Sequence, residues 1–307
     1  MEPQRGTRNE RGRELSAKAL RASGLPWALR TTYIRSRPLV LLYHDPAPEV
    51  FDAHLRWLGE RFTFTTLTEL TTALHEGSLA SMPQRSVVVT LDDGHRGNRR
   101  LLPILRQHSV RPTIYVCSGI VGTERAFWFE ATPDAGAYKR LPNDERLQRL
   151  AEAVGFEQEQ PWPPPRQALS RDELMELGEY AEIGCHTRFH PVLTTCDLER
   201  ARDEIIGAKA ELEALLGREV YHFASPNGDW SPALDALVRE AGFVSARRID
   251  PIPVGVTTSP WALGCIGITD NASVDMLAAQ VTGLPTMLRN LRRGRLSRRY
   301  DPIRLER

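Results

Sequence analysis

The chain has 307 residues, 41% hydrophobic and 26% charged, which is the composition of an ordinary soluble globular protein. This length suits one large α/β domain or two small ones, and we expect one main domain. The formal net charge of +1 does not favour a nucleic-acid-binding protein, and no apolar run is long enough to span a bilayer.

Charge is distributed unevenly, because the first 30 residues and residues 289–299 are rich in arginine. We expect solvated arms there; the alternative is contact with an anionic surface, such as phospholipid headgroups or a lipid-linked substrate. The first residues contain no apolar core of signal-peptide length, so we expect a cytoplasmic protein, with a non-classical export route as the alternative. The cysteines lack zinc-type spacing and are predicted to be buried, reduced thiols: Cys117, Cys185, Cys196 and Cys265.

The first predicted elements are a helix outside the main domain and a buried strand. Residues 16–30 have a helical pattern that Pro26 interrupts. Residues 38–43 form an apolar run without alternation, which predicts a strand buried on both faces with His44 at its carboxyl end. Helical spacing follows in two segments, residues 51–58 and 67–75.

Two adjacent carboxylates follow the next predicted strand. Residues 87–90 are β-branched and predict a second strand buried on both faces. Asp92 and Asp93 close this strand, and Gly94 lets the chain turn. Because adjacent carboxylates repel, the pKa of one would be raised unless a cation such as a metal ion held the other ionised. The alternative is a simple turn signal with a solvated Asp92.

An irregular segment then interrupts the alternation of strands and helices. It follows a predicted helix at residues 99–108 and a strand at 112–117. We predict a lid-like insertion at 122–170, with a helical piece at 143–154 and a proline-rich run. Its aromatic residues, Trp128 among them, are candidates for stacking on a sugar ring, with core anchoring as the alternative.

Two histidines follow the next helix and strand. Ser170 is a predicted N-cap for the helix at 171–180, with Glu173 at the capping-box position. His186 and His190 lie four residues apart, so a single turn of helix would point both imidazoles the same way. Since this pair begins where a strand ends, as the two aspartates do, we expect both sets at one rim of the sheet.

The rest of the chain completes the alternation, which implies parallel strands and right-handed crossovers. Pro226, Asn227 and Gly228 form a predicted tight turn whose backbone N–H groups face a ligand. The other predicted elements are a charged helix at 197–216, a strand at 220–225, a helix at 232–241, strands at 243–249 and 261–268, and an amphipathic tail.

Three ordered motifs give the chain a resemblance to a known family. They are Thr90-Leu91-Asp92-Asp93-Gly94, His186-Thr187-Arg188-Phe189-His190-Pro191 and Phe223-Ala224-Ser225-Pro226-Asn227-Gly228. With the intervening elements, from residue 39 to 268, the chain resembles the polysaccharide deacetylase family, carbohydrate esterase family 4. The resemblance implies a distorted (β/α) barrel with mostly parallel strands and one divalent metal ion, usually zinc, held by one Asp and two His.

The resemblance also implies a role for each motif position. Asp93, His186 and His190 match the metal ligands, Asp92 the general base and Asn227 the backbone donor to the oxyanion. Three protein ligands leave a coordination position open for water, as in catalytic sites. The metal lowers the pKa of this water and polarises the acetyl carbonyl, while Asp92 removes a proton.

Two positions depart from the family pattern. Many members carry an Arg at the position of Ala224 that pairs with the catalytic Asp, and without that charge the ionisation of Asp92 is in doubt. The late motif with a general-acid His is also absent. Members that deacetylate poly-N-acetylglucosamine place this motif on the first strand, as Leu41-Leu42-Tyr43-His44 does here.

His44 is therefore the candidate acid, with a core histidine bonded to backbone as the alternative. His95 and His222 are other contenders, for which we expect structural roles. Trp128, Trp230 and His95 are the candidate substrate-binding residues.

We expect a catalytic domain at residues 38–270, a basic N-terminal arm and helix at 1–37, and a basic amphipathic helix and tail at 271–307. The expected activity is metal-dependent hydrolysis of the N-acetyl amide of an N-acetylated amino sugar, with Zn²⁺ as cofactor. A cytoplasmic location and basic ends favour a lipid-linked or nucleotide-linked precursor over a finished polymer, with peripheral membrane contact. The alternatives are a deacylase of a non-sugar amide or secondary metabolite, and a catalytically silent sugar-binding protein on the same fold.

Overall fold

A computed structural model describes residues 8–249 and 253–284 of the chain. Its strands are β1 (Leu39–Tyr43), β2 (Thr63–Phe64), β3 (Ser86–Leu91), β4 (Thr113–Val116), β5 (Glu182–Cys185), β6 (His222–Ala224), β7 (Ser245–Arg247) and β8 (Ile266–Gly267). Its α-helices are α1 (Arg8–Ala22), α2 (Leu25–Thr31), α3 (Pro48–Gly59), α4 (Leu67–His75), α5 (Leu102–Gln107), α6 (Ala135–Tyr138), α7 (Asn143–Val154), α8 (Arg171–Gly178), α9 (Leu198–Arg202), α10 (Ala208–Leu216), α11 (Pro232–Glu240) and α12 (Val274–Gln280). A π-helical turn, Asp203–Gly207, joins α9 to α10.

The strands pair in parallel in the order β7-β6-β5-β4-β3-β1-β8, and β2 also pairs with β3. The segment before β8 also reaches β7, because Leu263 N donates to Ala246 O at 3.0 Å and Arg248 N donates to Leu263 O at 2.7 Å. The sheet therefore curves round into the distorted barrel of parallel strands that the sequence predicts. Since the strands are parallel, their carboxyl ends lie at one edge.

Side chains of the central strands alternate between two apolar layers. Leu39 and Leu41 of β1 and Val87 of β3 belong to a large cluster that includes the outer helices, whereas Val40 and Val88 belong to a second, inner cluster. Because successive side chains of a strand point to opposite faces, Asp92 continues the row of Val88 and Thr90. Strand periodicity thus directs Asp92 towards the inner side of the curved sheet.

Several predicted elements have the predicted bounds. Helices α4 and α7 begin and end at the predicted residues, and Ser170 and Glu173 form the capping box of α8. All four cysteines are buried and free, as predicted. The predicted strand at 261–268 is wrong over most of its length: Pro260–Ala262 is a 3-10 helix and only Ile266–Gly267 is strand. Pro260 begins that helical turn, since its fixed φ suits a first helical position.

The N-terminal helix packs on the last described helix. Arg21 of α1 forms an ion pair with Asp275 of α12, and Ser273 Oγ donates to Glu14 Oε1 at 2.7 Å. None of the described helices combines the length and apolar character needed to cross a membrane. The predicted arginine-rich segment at 289–299 and most of the predicted amphipathic tail lie outside the described residues. Membrane contact and a cytoplasmic location stay predictions.

Candidate functional site

The carboxyl edge of the sheet gathers the residues that the motifs single out. One open cavity of about 760 Å³ lies at this edge. His44 follows β1, the two aspartates follow β3, the two histidines follow β5 and Asn227 follows β6. All of these residues line the cavity: His44, Asp92, Asp93, His186, His190 and Asn227. Parallel strand order thus brings together motifs that are far apart in sequence.

Three buried side chains at the floor of this cavity place their ligating atoms together. Asp93 Oδ1 lies 3.3 Å from His186 Nε2 and 3.1 Å from His190 Nε2. Nδ1 of His186 is 2.7 Å from the carbonyl oxygen of Ala224, so that its Nε2 faces Asp93. One carboxylate oxygen and two imidazole nitrogens are a donor set that suits Zn²⁺, whose tetrahedral ligands at about 2.0–2.1 Å lie roughly 3.3 Å from one another. The three residues therefore fit a metal ion.

The charges of this cluster balance one another. Burial by itself raises the pKa of Asp93, but His190 and the hydrogen bonds from His186, His190 and His95 hold it well below its ordinary value. Burial lowers the pKa of His190. Burial also acts to lower the pKa of His186, but the carboxylates of Asp92 and Asp93 raise it above its ordinary value. Metal binding at this cluster therefore competes with a proton.

The segment between the two histidines is a loop rather than the predicted turn of helix. Thr187 and His190 both have left-handed backbone conformations, with φ values of 70° and 57°. The side chain of Thr187 accepts a hydrogen bond from His190 N at 3.0 Å, which closes the loop. The four-residue spacing alone was compatible with a helix, and the left-handed residues are what exclude it.

A buried carboxylate holds this loop from the neighbouring helix. Glu204 lies in the π-helical turn Asp203–Gly207 and is fully buried. Its Oε2 accepts hydrogen bonds from the backbone N–H groups of Arg188 and Phe189 at 2.8 and 2.9 Å. Its Oε1 pairs with Arg200 at 2.7 Å. Glu204 therefore fixes the chain between the two candidate metal ligands, and no motif in the sequence pointed to it.

The positive charge that is absent at Ala224 is present on another strand. Arg247 Nη2 donates to both carboxylate oxygens of Asp92, at 2.5 Å each. Both side chains are buried. Burial alone would lower the pKa of Arg247, but the Asp92 carboxylate raises it above its ordinary value. The interpretation that Asp92 lacks a cationic partner is therefore wrong.

Strand register explains how an arginine at position 247 can replace one at position 224. Ala224 of β6 and Arg247 of β7 are register partners in the parallel sheet. Register partners on adjacent strands project to the same face, so an Arg at either position starts from the same side of the sheet. The signal for this was a charged residue inside a predicted strand, but the sequence alone does not show which residue lies beside Ala224.

His44 lies in the open cavity and is exposed, so the alternative of a core histidine does not hold. Its backbone is anchored, because His44 N donates to Asp270 Oδ1 at 3.0 Å and Asn98 Nδ2 donates to His44 O at 2.8 Å. Asn227 lies in the predicted turn with a φ of 57°. Both residues are thus placed on the cavity wall that Asp92 also lines.

None of the three candidate substrate-binding residues, Trp128, Trp230 and His95, lines the cavity, and this corrects the sequence interpretation. Trp128 is only 2% exposed, and its Nε1 donates to His190 O at 2.8 Å, so it supports the histidine loop instead of offering a stacking surface. Arg248 covers the ring of Trp230, 4.3 Å from its centroid. Phe129 lines the cavity in their place, with its ring 4.8 Å from that of His190.

The two other histidines contact different partners. His95 Nε2 lies 3.1 Å from Asp93 Oδ2, the oxygen that does not face the other imidazoles, and His95 lines a second, adjacent cavity. His222 is buried between the hydroxyls of Thr68 and Ser245, at 3.0 and 2.8 Å. The structural roles expected for both stay predictions.

Solved structures share this fold. The deacetylase PplD from Streptococcus pyogenes, in complex with acetate, is similar with a TM-score of 0.59 at 17% identity, over 80% of this chain and 99% of that one. IcaB from Ammonifex degensii gives 0.58 at 20% identity, over 80% and 97%. BC0361, a polysaccharide deacetylase from Bacillus cereus, gives 0.57 at 17% identity, over 80% and 69%. At these identities the likeness shows the fold alone.

Sequence comparison identifies the family, which the fold alone does not show. No curated protein is significantly similar to the chain. The sequence model of the polysaccharide deacetylases matches residues 80–246, which is more than half of the chain. The match includes the aspartate pair, both cavity histidines and strand β6. The chain therefore belongs to the polysaccharide deacetylase family, carbohydrate esterase family 4.

Proposed function

We propose that this chain is a metal-dependent deacetylase that hydrolyses the N-acetyl amide of an N-acetylated amino sugar, carried in a glycan, a glycoconjugate or a lipid-linked or nucleotide-linked sugar. One observation carries the proposal: the ligating atoms of Asp93, His186 and His190 share a cavity floor with the ion-paired carboxylate of Asp92. PplD, which is similar in fold, is itself a deacetylase bound to acetate.

Asp93, His186 and His190 would hold the metal, for which their donor set favours Zn²⁺. When bound, this ion supplies a water of lowered pKa and polarises the acetyl carbonyl. The nitrogen Nδ1 of His186 lies on Ala224 O, and His95 binds the second oxygen of Asp93. Such contacts orient the ligands and typically affect metal affinity by about 10- to 100-fold.

Asp92 and His44 transfer protons in the proposed reaction, and Asn227 stabilises the developing negative charge. Asp92 accepts the proton of the attacking water, and Arg247 orients its carboxylate through two hydrogen bonds. The new C–O bond forms as negative charge develops on the acetyl oxygen, towards which the backbone N–H of Asn227 donates. His44 protonates the leaving nitrogen as the C–N bond breaks, so the products are acetate and a free amine. The pairing of Asp92 removes the main motive for a catalytically silent protein.

Metal content and acetate release test the proposal together. We expect about one equivalent of zinc in the purified protein and acetate release from N-acetylated amino-sugar substrates, both lost in His186→Ala. His75→Ala is the matched control, because His75 is an exposed histidine away from the cavity that hydrogen-bonds to the carbonyl of Val244 and packs on Trp261. Metal without acetate release from any amino sugar favours the non-sugar amide, and absence of metal contradicts the proposal.

A further inference from the structure

The mouth of the cavity carries two cations that the proposed chemistry does not use. Lys139 and Arg140 line the same cavity as Asp92 and Asp93, and both basic residues are exposed. The carboxylates that line it are buried, with Asp92, Asp93 and Asp229 only 3–4% exposed. Negative charge therefore lies at the floor of the cavity and positive charge at its mouth.

The backbone that carries these cations is held against the candidate metal site. Lys139 and Arg140 directly follow α6, whose Ala135 and Tyr138 pack on the apolar cluster that contains Trp128 and Val192. Trp128 Nε1 donates to the carbonyl of His190 at 2.8 Å. Ala135 and Gly136 line the cavity as well. Packing of α6 on this cluster therefore anchors the chain that carries the two cations beside the candidate metal site.

No described carboxylate neutralises the two mouth cations. Within the described part of the chain, neither Lys139 nor Arg140 has a salt bridge or side-chain hydrogen bond, whereas other arginines of the same segment have partners: Arg125 binds Glu159 O, Arg146 binds Asn143 and Arg149 binds Glu145. At the floor, Arg247 compensates Asp92. An anion that reaches the mouth therefore meets uncompensated positive charge.

We propose that the substrate is an N-acetylated amino sugar esterified to phosphate or diphosphate, whose anionic group binds Lys139 and Arg140 while its acetamido group reaches Asp92. This inference rests on the proposed deacetylase function and narrows its substrate class. A guanidinium fork and an ammonium point charge are the groups that proteins use to bind phosphate oxygens. A neutral glycan offers these cations no negative charge to bind. A nucleotide carrier and a lipid carrier both present this phosphate chemistry.

Acetate release from matched substrates tests the inference on the metal-loaded full chain. The probes are N-acetylglucosamine 1-phosphate, uridine-diphosphate N-acetylglucosamine, a polyprenyl-diphosphate N-acetylglucosamine in detergent micelles, and neutral chitotriose. The variant is Lys139→Gln/Arg140→Gln. Its control is Lys18→Gln/Arg106→Gln, which removes two exposed charges that do not line the cavity.

We expect the mouth variant to lower kcat/KM for the phosphorylated sugars about tenfold, through KM, and to leave chitotriose unchanged. The difference should shrink from 50 to 300 mM salt, because the contact is exposed. The carrier with the higher kcat/KM distinguishes the nucleotide from the lipid source. An equal effect on neutral and phosphorylated sugars, or none on either, overturns the inference.

A binding measurement separates failure of the inference from failure of the deacetylase proposal. The titration uses glucosamine 1-phosphate, the corresponding product, which needs no turnover to bind. We expect its Kd to rise about tenfold in Lys139→Gln/Arg140→Gln and not in the control. If no substrate releases acetate but this shift is present, the phosphate site stands and the reaction is wrong. If acetate is released and the shift in Kd is absent, the deacetylase reaction stands and the phosphate site is wrong.

Discussion

Arg247 donates from one guanidinium nitrogen to both carboxylate oxygens of Asp92, at 2.5 Å each, and the two side chains are buried. Strands β3 and β7 are not neighbours in the sheet, so this ion pair spans the inner side of the curved sheet. Arg247 also lies 2.9 Å from Cys265 Sγ and 5.0 Å from the ring centroid of Tyr115. The guanidinium is thus held in one position beside the proposed base.

Removing this guanidinium should damage stability and turnover together. Arg247→Ala leaves Asp92 buried without its cation, and we expect the free energy of unfolding to fall by about 3 kcal/mol or more. We expect kcat to fall by about a hundredfold, because the base loses the two hydrogen bonds that orient its carboxylate. Denaturant unfolding and acetate release measure the two effects, and a bound metal should remain at unchanged stoichiometry.

A second substitution shows whether the position of the charge can be exchanged. Ala224 is the register partner of Arg247, so Arg247→Ala/Ala224→Arg places a guanidinium at the start of the same face. We expect this double variant to recover at least part of the lost kcat. Recovery of stability without any recovery of turnover would contradict this expectation and show that turnover needs the guanidinium at position 247 itself.

The family fold and the floor of the cavity follow from the sequence because they depend on short-range patterns. The run Val87-Val88-Val89 predicts a buried strand, and the parallel alternation places its carboxyl end at the same edge of the sheet as those of β1 and β5. The ion pair of Arg247 does not follow, because it depends on the register between β6 and β7. The sequence contains both Asp92 and Arg247, but only the register of the strands shows that the two side chains meet.

The loop between His186 and His190 is also not predicted from the sequence, although it spans only five residues. The spacing of His186 and His190 is compatible with a helical turn, but Thr187 and His190 adopt left-handed conformations. Glu204, which comes from a distant turn, satisfies two backbone N–H groups of that loop. A buried acceptor from another element can stabilise a conformation that local propensity disfavours.

Glu204 should therefore control metal affinity without touching the metal. In Glu204→Ala the N–H groups of Arg188 and Phe189 lose their acceptor, and we expect the apparent Kd for Zn²⁺ to rise by about 10- to 100-fold. Competition with a chelator measures this. Glu213→Ala is the matched control, since Glu213 lies on α10 and pairs with Lys209. An unchanged Kd in Glu204→Ala would show that the loop holds its shape alone.

His44 should matter most where the leaving group is a poor one. In His44→Gln we expect kcat for an N-acetyl amide to fall by about 10²- to 10⁴-fold, because an amine leaves only when it is protonated. Hydrolysis of 4-nitrophenyl acetate should change only a few-fold, because its phenolate leaves without a proton. Equal losses on amide and ester would assign His44 to substrate positioning.

His222 should make stability depend on pH. Burial lowers the pKa of His222 to about 4, so the unfolded chain binds more protons than the folded chain between that value and 6.5. Stability from this group is present above pH 6.5 and is lost as pH falls towards 4, by about 2 kcal/mol between pH 7 and 5. Unfolding of chelator-treated wild type and His222→Gln at several pH values measures it. The variant should lack this part of the slope; identical slopes would exclude His222.

In the proposed mechanism the two adjacent aspartates have separate tasks, with Asp93 holding the metal and Asp92 moving the proton. Zinc content and acetate release in one preparation of Asp92→Asn test this most directly. We expect about one equivalent of zinc, as in the wild type, with kcat reduced by about 10²-fold or more. Loss of the metal, or turnover at the wild-type rate, would contradict it.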